Sequence, residues 1–186
     1  VFPLTKEQVS LDNGGGGNWG ADGGGDINQI KTMTEAEIKA EIKAAVAAVA
    51  AVVASGKVRV PEDCKTLEEA VAWVHGYDRL TTIVVGKGEH QIDEYYDDEY
   101  LEIASAMNIV GDPGVAKSEI VVVGGIKFCC NLGNCHLQHL TLRQAKVEGV
   151  AGYSDFTMED VLVEQCSFGV FADGTGVVAQ CTNVEV

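Results

Sequence analysis

The apolar positions of this chain change their period once it leaves its glycine-rich start. From Glu35 to Ser55 they follow a helix. Ile38, Ile42, Val46, Val49 and Val53 recur at spacings of 4, 4, 3 and 4, which lays one apolar stripe along a 3.6-residue period. Thr34-Glu35-Ala36-Glu37 has the capping-box pattern, and Gly56 stands where a helix would stop. Alanine, the best helix former, fills nine of residues 34–54, and neither Gly nor Pro interrupts the span. The second half is apolar almost all round, which predicts burial against another surface. That surface is either the helix's own domain or a partner subunit. A second, shorter helix is expected at 65–75, where Leu67, Ala70, Val71 and Val74 share a face.

Beyond that helix the period falls to that of β-strands, and the pattern repeats. Cys135-His-Leu137-Gln-His-Leu140-Thr-Leu142 lies over Phe156-Thr-Met158-Glu-Asp-Val161-Leu-Val163 at a shift of 21. It lies again over Ala179-Gln-Cys181-Thr-Asn-Val184-Glu-Val186 at a further shift of 23. Each copy is apolar at its third, sixth and eighth positions. Ile120-Val121-Val122 fits 20 residues before Leu140-Thr141-Leu142, and Tyr100 to Ile103 and Thr82 to Val85 fit as earlier copies. A period of this length with short β runs predicts one coil of a parallel β solenoid per repeat. Inward residues should form ladders: Leu137, Met158 and Cys181 in one, Leu140, Val161 and Val184 in another. The helix at 65–75 is placed to plug the first coil. No equivalent follows Val186, where the chain stops inside a repeat.

Four stretches carry a resemblance. Thr82-Ile-Val-Val-Gly-Lys-Gly-Glu-His-Gln-Ile92, Leu101-Glu-Ile103, Asn108-Ile-Val-Gly-Asp112 and Glu119-Ile-Val-Val-Val-Gly-Gly125 look like the opening coils of the pectate-lyase-like right-handed parallel β-helix superfamily, pectin esterases included. The resemblance covers about residues 58–186. It implies a mainly β fold, a right-handed parallel β-helix. It leaves activity open, since the superfamily holds lyases, hydrolases, esterases and members without known activity. Lyases of this type hold calcium on carboxylates and use a basic residue to abstract a proton. Here only Arg143 and Lys146 are basic in the later coils, and no paired aspartates share a strand face. The Asn-Thr-Asp, Asp-Asp, Gly-His-Gly and Arg-Ile-Lys motifs of polygalacturonases are absent from the corresponding places.

Three zones follow: a Gly-rich extended arm at 1–31, the Ala-rich amphipathic helix at 32–56, and the β domain at 57–186. The arm is read as flexible, because glycine loses most backbone entropy on ordering. A calcium-binding glycine/aspartate turn is the alternative, although no correctly spaced G-G-x-G-x-D repeat occurs. Trp19 is the arm's one large anchor for a neighbouring surface.

Composition narrows the function classes. Twenty-eight acidic against 13 basic side chains give a formal charge of −15, which argues against nucleic-acid binding and a basic membrane-surface role. The longest apolar run, Ala44 to Ala54, is too short to span a bilayer, and Val1 to Thr5 does not look like a signal peptide, so a soluble chain is expected. The acidic run around Asp97 and Asp98 reads as a solvated loop, or as a site for a cation or basic partner. Tyr95, Tyr96 and Tyr100 beside it are the candidates for carbohydrate contact.

Cys129, Cys130, Cys135, His136 and His139 fall close together and raise the possibility of zinc, but their spacing matches no closed zinc module. Cysteines at strand positions are read first as small core residues, with a metal or disulfide as alternatives. Gly86-Lys87-Gly88 is too short for a phosphate loop. No nucleophile–base pair stands out. The leading expectation is a non-enzymatic scaffold or subunit, without cofactor, that binds a protein partner or itself. The candidate contacts are Trp19, Ile38, Ile42, Val46, Val49, Val53, Asp97 and Asp98. A carbohydrate-binding or polysaccharide-active protein, with calcium, is the second expectation.

Overall fold

A computed structural model describes residues 34–92, 100–130, 133–174 and 177–186. The arm with Trp19 and the acidic run with Asp97 and Asp98 lie outside the described residues. The described chain is mainly β, with two α-helices and two parallel sheets.

Helix α1 spans Glu35–Ser55, as its sequence signals predict. The Thr34 hydroxyl accepts from the Glu37 amide, and the Glu37 carboxylate accepts from the Thr34 amide at 2.7 Å. Gly56 closes the other end with φ 71°, a left-handed conformation that costs other residues more. Replacing Thr34 with Ala should therefore fray the first turn at a cost of about 1 kcal/mol. Amide exchange at Glu37 and Ile38 reads this directly, and unchanged protection there would count against the cap.

Strand β1 (Lys57–Val60) leads into α2 (Leu67–Gly76), which starts at the cap residue Thr66. Helix α2 buries Leu67, Ala70 and Val74 and packs on β1 and on β2 (Thr82–Val85). Strand β1 is the outermost strand of its sheet, and α2 packs against it.

The remaining strands are β3 (Gly88–Gln91), β4 (Tyr100–Ile103), β5 (Asn108–Gly111), β6 (Ile120–Val123), β7 (Gly125–Phe128), β8 (Cys135–Arg143), β9 (Glu148–Gly152), β10 (Phe156–Glu164), β11 (Phe168–Ala172) and β12 (Ala179–Thr182). One sheet runs β1-β2-β5-β8-β10-β12, with β3 and β6 joining it beside β8; the other runs β11-β9-β7-β4. Every pairing is parallel. Cys135 lies opposite Phe156, and Phe156 opposite Ala179, which are the shifts of 21 and 23 read from the sequence. Val122 lies opposite Leu142, the shift of 20.

The early copies assort differently from the expectation. Thr82 to Val85 pairs with β5, and β5 pairs with the first half of β8. Tyr100 to Ile103 belongs to the other sheet, opposite β7. Its alternation of apolar and polar residues is that of any half-buried strand, so the pattern alone does not say which sheet receives it.

Between the sheets, in-register apolar residues stack. Ile83, Ile109, Leu137 and Met158 form one buried row; Ile120, Leu140 and Val161 belong to the next. Opposite them, Leu101, Ile126 and Val150 stack in the second sheet. Phe128 and Phe156 meet across the core with ring centroids 5.2 Å apart. Cys181 keeps its predicted register opposite Met158, yet it is exposed on the outermost strand, so it is no core residue. Val184 is half-buried against the same core.

Candidate functional site

Two features stand apart from the packed core. The first is the apolar face of α1. The helix buries no residue, and only Val52 and Val53, in its last turn, pack against the core cluster. The predicted burial of its apolar second half against its own domain thus holds for one turn alone. Val49 is half-buried, whereas Ile38, Ile42 and Val46 are 45%, 58% and 64% exposed. Exposed isoleucines and valines spaced along one face form an apolar surface of a kind that marks contact sites. The charges of the helix lie in its first half, where Lys39 bridges to Glu35 at 2.6 Å. Both partners are well exposed, so the bridge adds little stability.

The second feature is a polar cluster on the neighbouring parallel strands β8 and β10. His139 in β8 and Asp160 in β10 sit one above the other, followed by Asn183 after β12. All three have positive φ, at 55°, 52° and 54°. These are among the non-glycine residue types that enter the left-handed region most readily, and a residue there turns the strand without an inserted loop. His139 Nδ1 is 2.7 Å from Asp160 Oδ2, and His139 Nε2 is 2.8 Å from the Val115 carbonyl. Lys117 Nζ donates to Asp160 Oδ1 at 2.8 Å, and Asn183 Nδ2 donates to the same oxygen at 2.9 Å. Glu185 lies 3.6 Å from Lys117.

The electrostatics follow from these contacts. The Val115 carbonyl, and then Asp160, hold the imidazole pKa above its usual value. Lys117, and then His139, hold the Asp160 carboxyl below the usual range. The Asp160 contribution is thus full above an ordinary Asp pKa and lost as pH falls through its lowered value.

The sequence singled out His139 but missed Lys117, Asp160 and Asn183. The signal was available: His139, Asp160 and Asn183 all occupy the fifth position of the eight-residue repeat. Lys117 was not legible, because it reaches the cluster from a loop outside the repeat.

The five candidate metal ligands have different surroundings. Cys135 is buried in the core, and burial raises its thiol pKa. Cys129 is half-buried with its pKa also raised by burial, and Cys130 is exposed. His136 Nδ1 lies 2.6 Å from the Thr157 hydroxyl, and His139 faces Asp160. Among the described residues no group of three or more His, Cys, Asp or Glu side chains is placed to hold one ion. All six thiols are free. Raised thiol pKa values also make Cys129 and Cys135 poor nucleophiles. Of the tyrosines named for carbohydrate contact, Tyr95 and Tyr96 lie outside the described residues. Tyr100 donates its hydroxyl to Glu148, and burial, then that bond, raises its pKa to about 12. Near α2 a depression of about 390 Å³ is lined by Asp63, Cys64, Glu69, Ala72 and Trp73. Its two carboxylates already accept from the backbone amides of Arg59 and Lys65.

No described helix is long and apolar enough to cross a membrane. Comparisons with protein-family models, curated proteins and solved structures each gave no match to this chain.

Proposed function

We propose that this chain is a non-enzymatic scaffold subunit: a right-handed parallel β-helix, similar to the pectate-lyase-like superfamily, that assembles with a second copy of itself through α1. The fold reading rests on parallel pairing at offsets of 21 and 23 residues and on stacked rows of inward side chains. Parallel crossovers of this kind are overwhelmingly right-handed.

The observation that carries the functional reading is the exposed stripe of Ile38, Ile42 and Val46 on a well-capped helix. A capped helix of 21 residues, about 31 Å long, offers an extended apolar edge. A second copy suits that edge in antiparallel sense. The large residues, Ile38 and Ile42, lie in the first half, and the second half carries only Ala, Val and Ser. Antiparallel pairing sets large against small. It also sets the charged half of one helix beside the uncharged half of the other, so like charges do not meet. The contact is isologous and closes as a dimer.

Light scattering on the full chain tests this. The expected mass is twice the 19.7 kDa of one chain. Ile42→Lys with Val46→Glu should halve it while helicity persists, because both sites are exposed and Lys is at least as good a helix former as Ile. A monomeric native chain, or a dimer that survives both substitutions, contradicts the proposal.

A further inference from the structure

The corner at His139 is also where the coils differ. Strand β8 passes the corner with one left-handed residue. In the preceding coil the same sheet position is shared by β5 and β6, both paired with β8, and residues 112–119 loop out between them. That loop includes a 3-10 turn at Lys117–Glu119. Beside the ion pairs of Asp112 with Arg59 and of Glu119 with Lys87, four contacts fasten it to β8, β10 and Glu185. His139 Nε2 meets the Val115 carbonyl, Lys117 Nζ meets Asp160 and Glu185, and the Thr141 hydroxyl donates to the Lys117 carbonyl at 3.0 Å.

His139 faces an acceptor with each ring nitrogen: a carboxylate oxygen at Nδ1 and a backbone carbonyl at Nε2. A neutral imidazole carries one N–H, so it can satisfy only one of the two. Its other lone pair then points at an oxygen lone pair. The imidazolium satisfies both. The titratable and charged groups around the ring are Asp160 from β10, Lys117 from the loop, and Glu185 from the last coil acting through Lys117. Asp160 stays ionised and Lys117 stays charged across neutral pH, the first with its pKa lowered and the second with its pKa raised. His139 is therefore the group of this cluster that titrates there.

We propose that His139 is a proton-operated fastener for the 112–119 loop, holding it against β8 and β10 when charged and releasing it when neutral. The imidazole pKa is raised in the folded chain, so its stabilisation is full below the ordinary value of about 6.5 and is lost as pH rises through the raised value. The released loop would expose the Val115 carbonyl at a site next to the stacked polar residues.

Hydrogen exchange of the full chain, expressed as protection factors, reads the loop. The reporters are the Val115 amide, which donates to the Asp112 carbonyl at 3.0 Å, and the Glu119 amide, which donates to the Ala116 carbonyl at 2.8 Å. Protection at both should fall on the order of tenfold between about pH 5.5 and about pH 9, while β8 amides hold. In His139→Asn, which keeps a residue tolerant of positive φ, that dependence should vanish. Nitrogen shifts of the native ring give a second readout that needs no variant: both nitrogens should stay protonated above pH ~6.5. Equal protection at both pH values, a dependence that persists in His139→Asn, or a ring that titrates at or below the ordinary value overturns the proposal.

Discussion

Phe128→Ala should cost about 3–5 kcal/mol, the range for removing a fully buried aromatic ring. Phe128 is 0% exposed and stacks on Phe156, which is 1% exposed. The two rings come from different sheets, so they join the two walls of the core. The cavity left behind has little means of collapse. Phe128 lies opposite Gly152 in the next strand, and a Cβ on Gly152 would already meet the Phe156 ring at 2.1 Å. The backbone around the pair is fixed at strand spacing and cannot close inward by more than a fraction of a ring. Urea unfolding gives the measurement. Phe128→Leu, which keeps most of the volume, should lose well under half as much. A loss below about 1 kcal/mol for the alanine variant would mean that the two sheets do not share one packed core.

The second large effect is expected at Gly111. It ends β5 in the row occupied by His139 in the neighbouring strand β8. A Cβ there would stand 1.8 Å from the His139 carbonyl oxygen, which is backbone and cannot swing aside. Gly111→Ala must therefore push β5 away from β8, at a cost of about 3 kcal/mol or more. The displaced carbonyl belongs to His139, so the same substitution should loosen the 112–119 loop. Gly76→Ala is the control. No atom lies within 4 Å of its added Cβ, and its φ is not positive, so a change near zero or a gain of about 0.5 kcal/mol is expected. Equal tolerance of alanine at Gly76 and Gly111 would contradict the close approach of β5 to β8.

Legibility in the sequence followed the reach of each physical rule. Helix α1 was readable because its signals are local: a capping box, an uninterrupted run of helix formers and a glycine stop. Strands β8, β10 and β12 were readable because a one-residue slip would move every apolar side chain to the wrong face, so repeat and register had to agree. Tyr100 to Ile103 was misplaced because alternation specifies a half-buried strand without specifying its neighbour. Cys181 fits the repeat but lies on an outermost strand, where an inward position is still exposed. The burial expected for α1 failed for a different reason. An apolar face shows that a helix seeks a cover, and Ile38, Ile42 and Val46 find none among the described residues. For the clustered cysteines and histidines, closeness in sequence is not closeness of side chains: Cys135 and His136 are adjacent in one strand and point to opposite faces. The polar corner was half legible. Its three left-handed residues follow the repeat, whereas Lys117 arrives from an insertion that no periodicity announces.

The central claim of the proposed β-helix is that successive repeats pair in parallel and in register. Interstrand amide-to-Hα contacts in a nuclear Overhauser spectrum test it most directly. The account predicts contacts that join Gln138 with the region of Glu159, and Leu140 with the region of Val161, all at an offset of 21 residues. Hα-to-Hα contacts of antiparallel strands, or contacts at another offset, would contradict it.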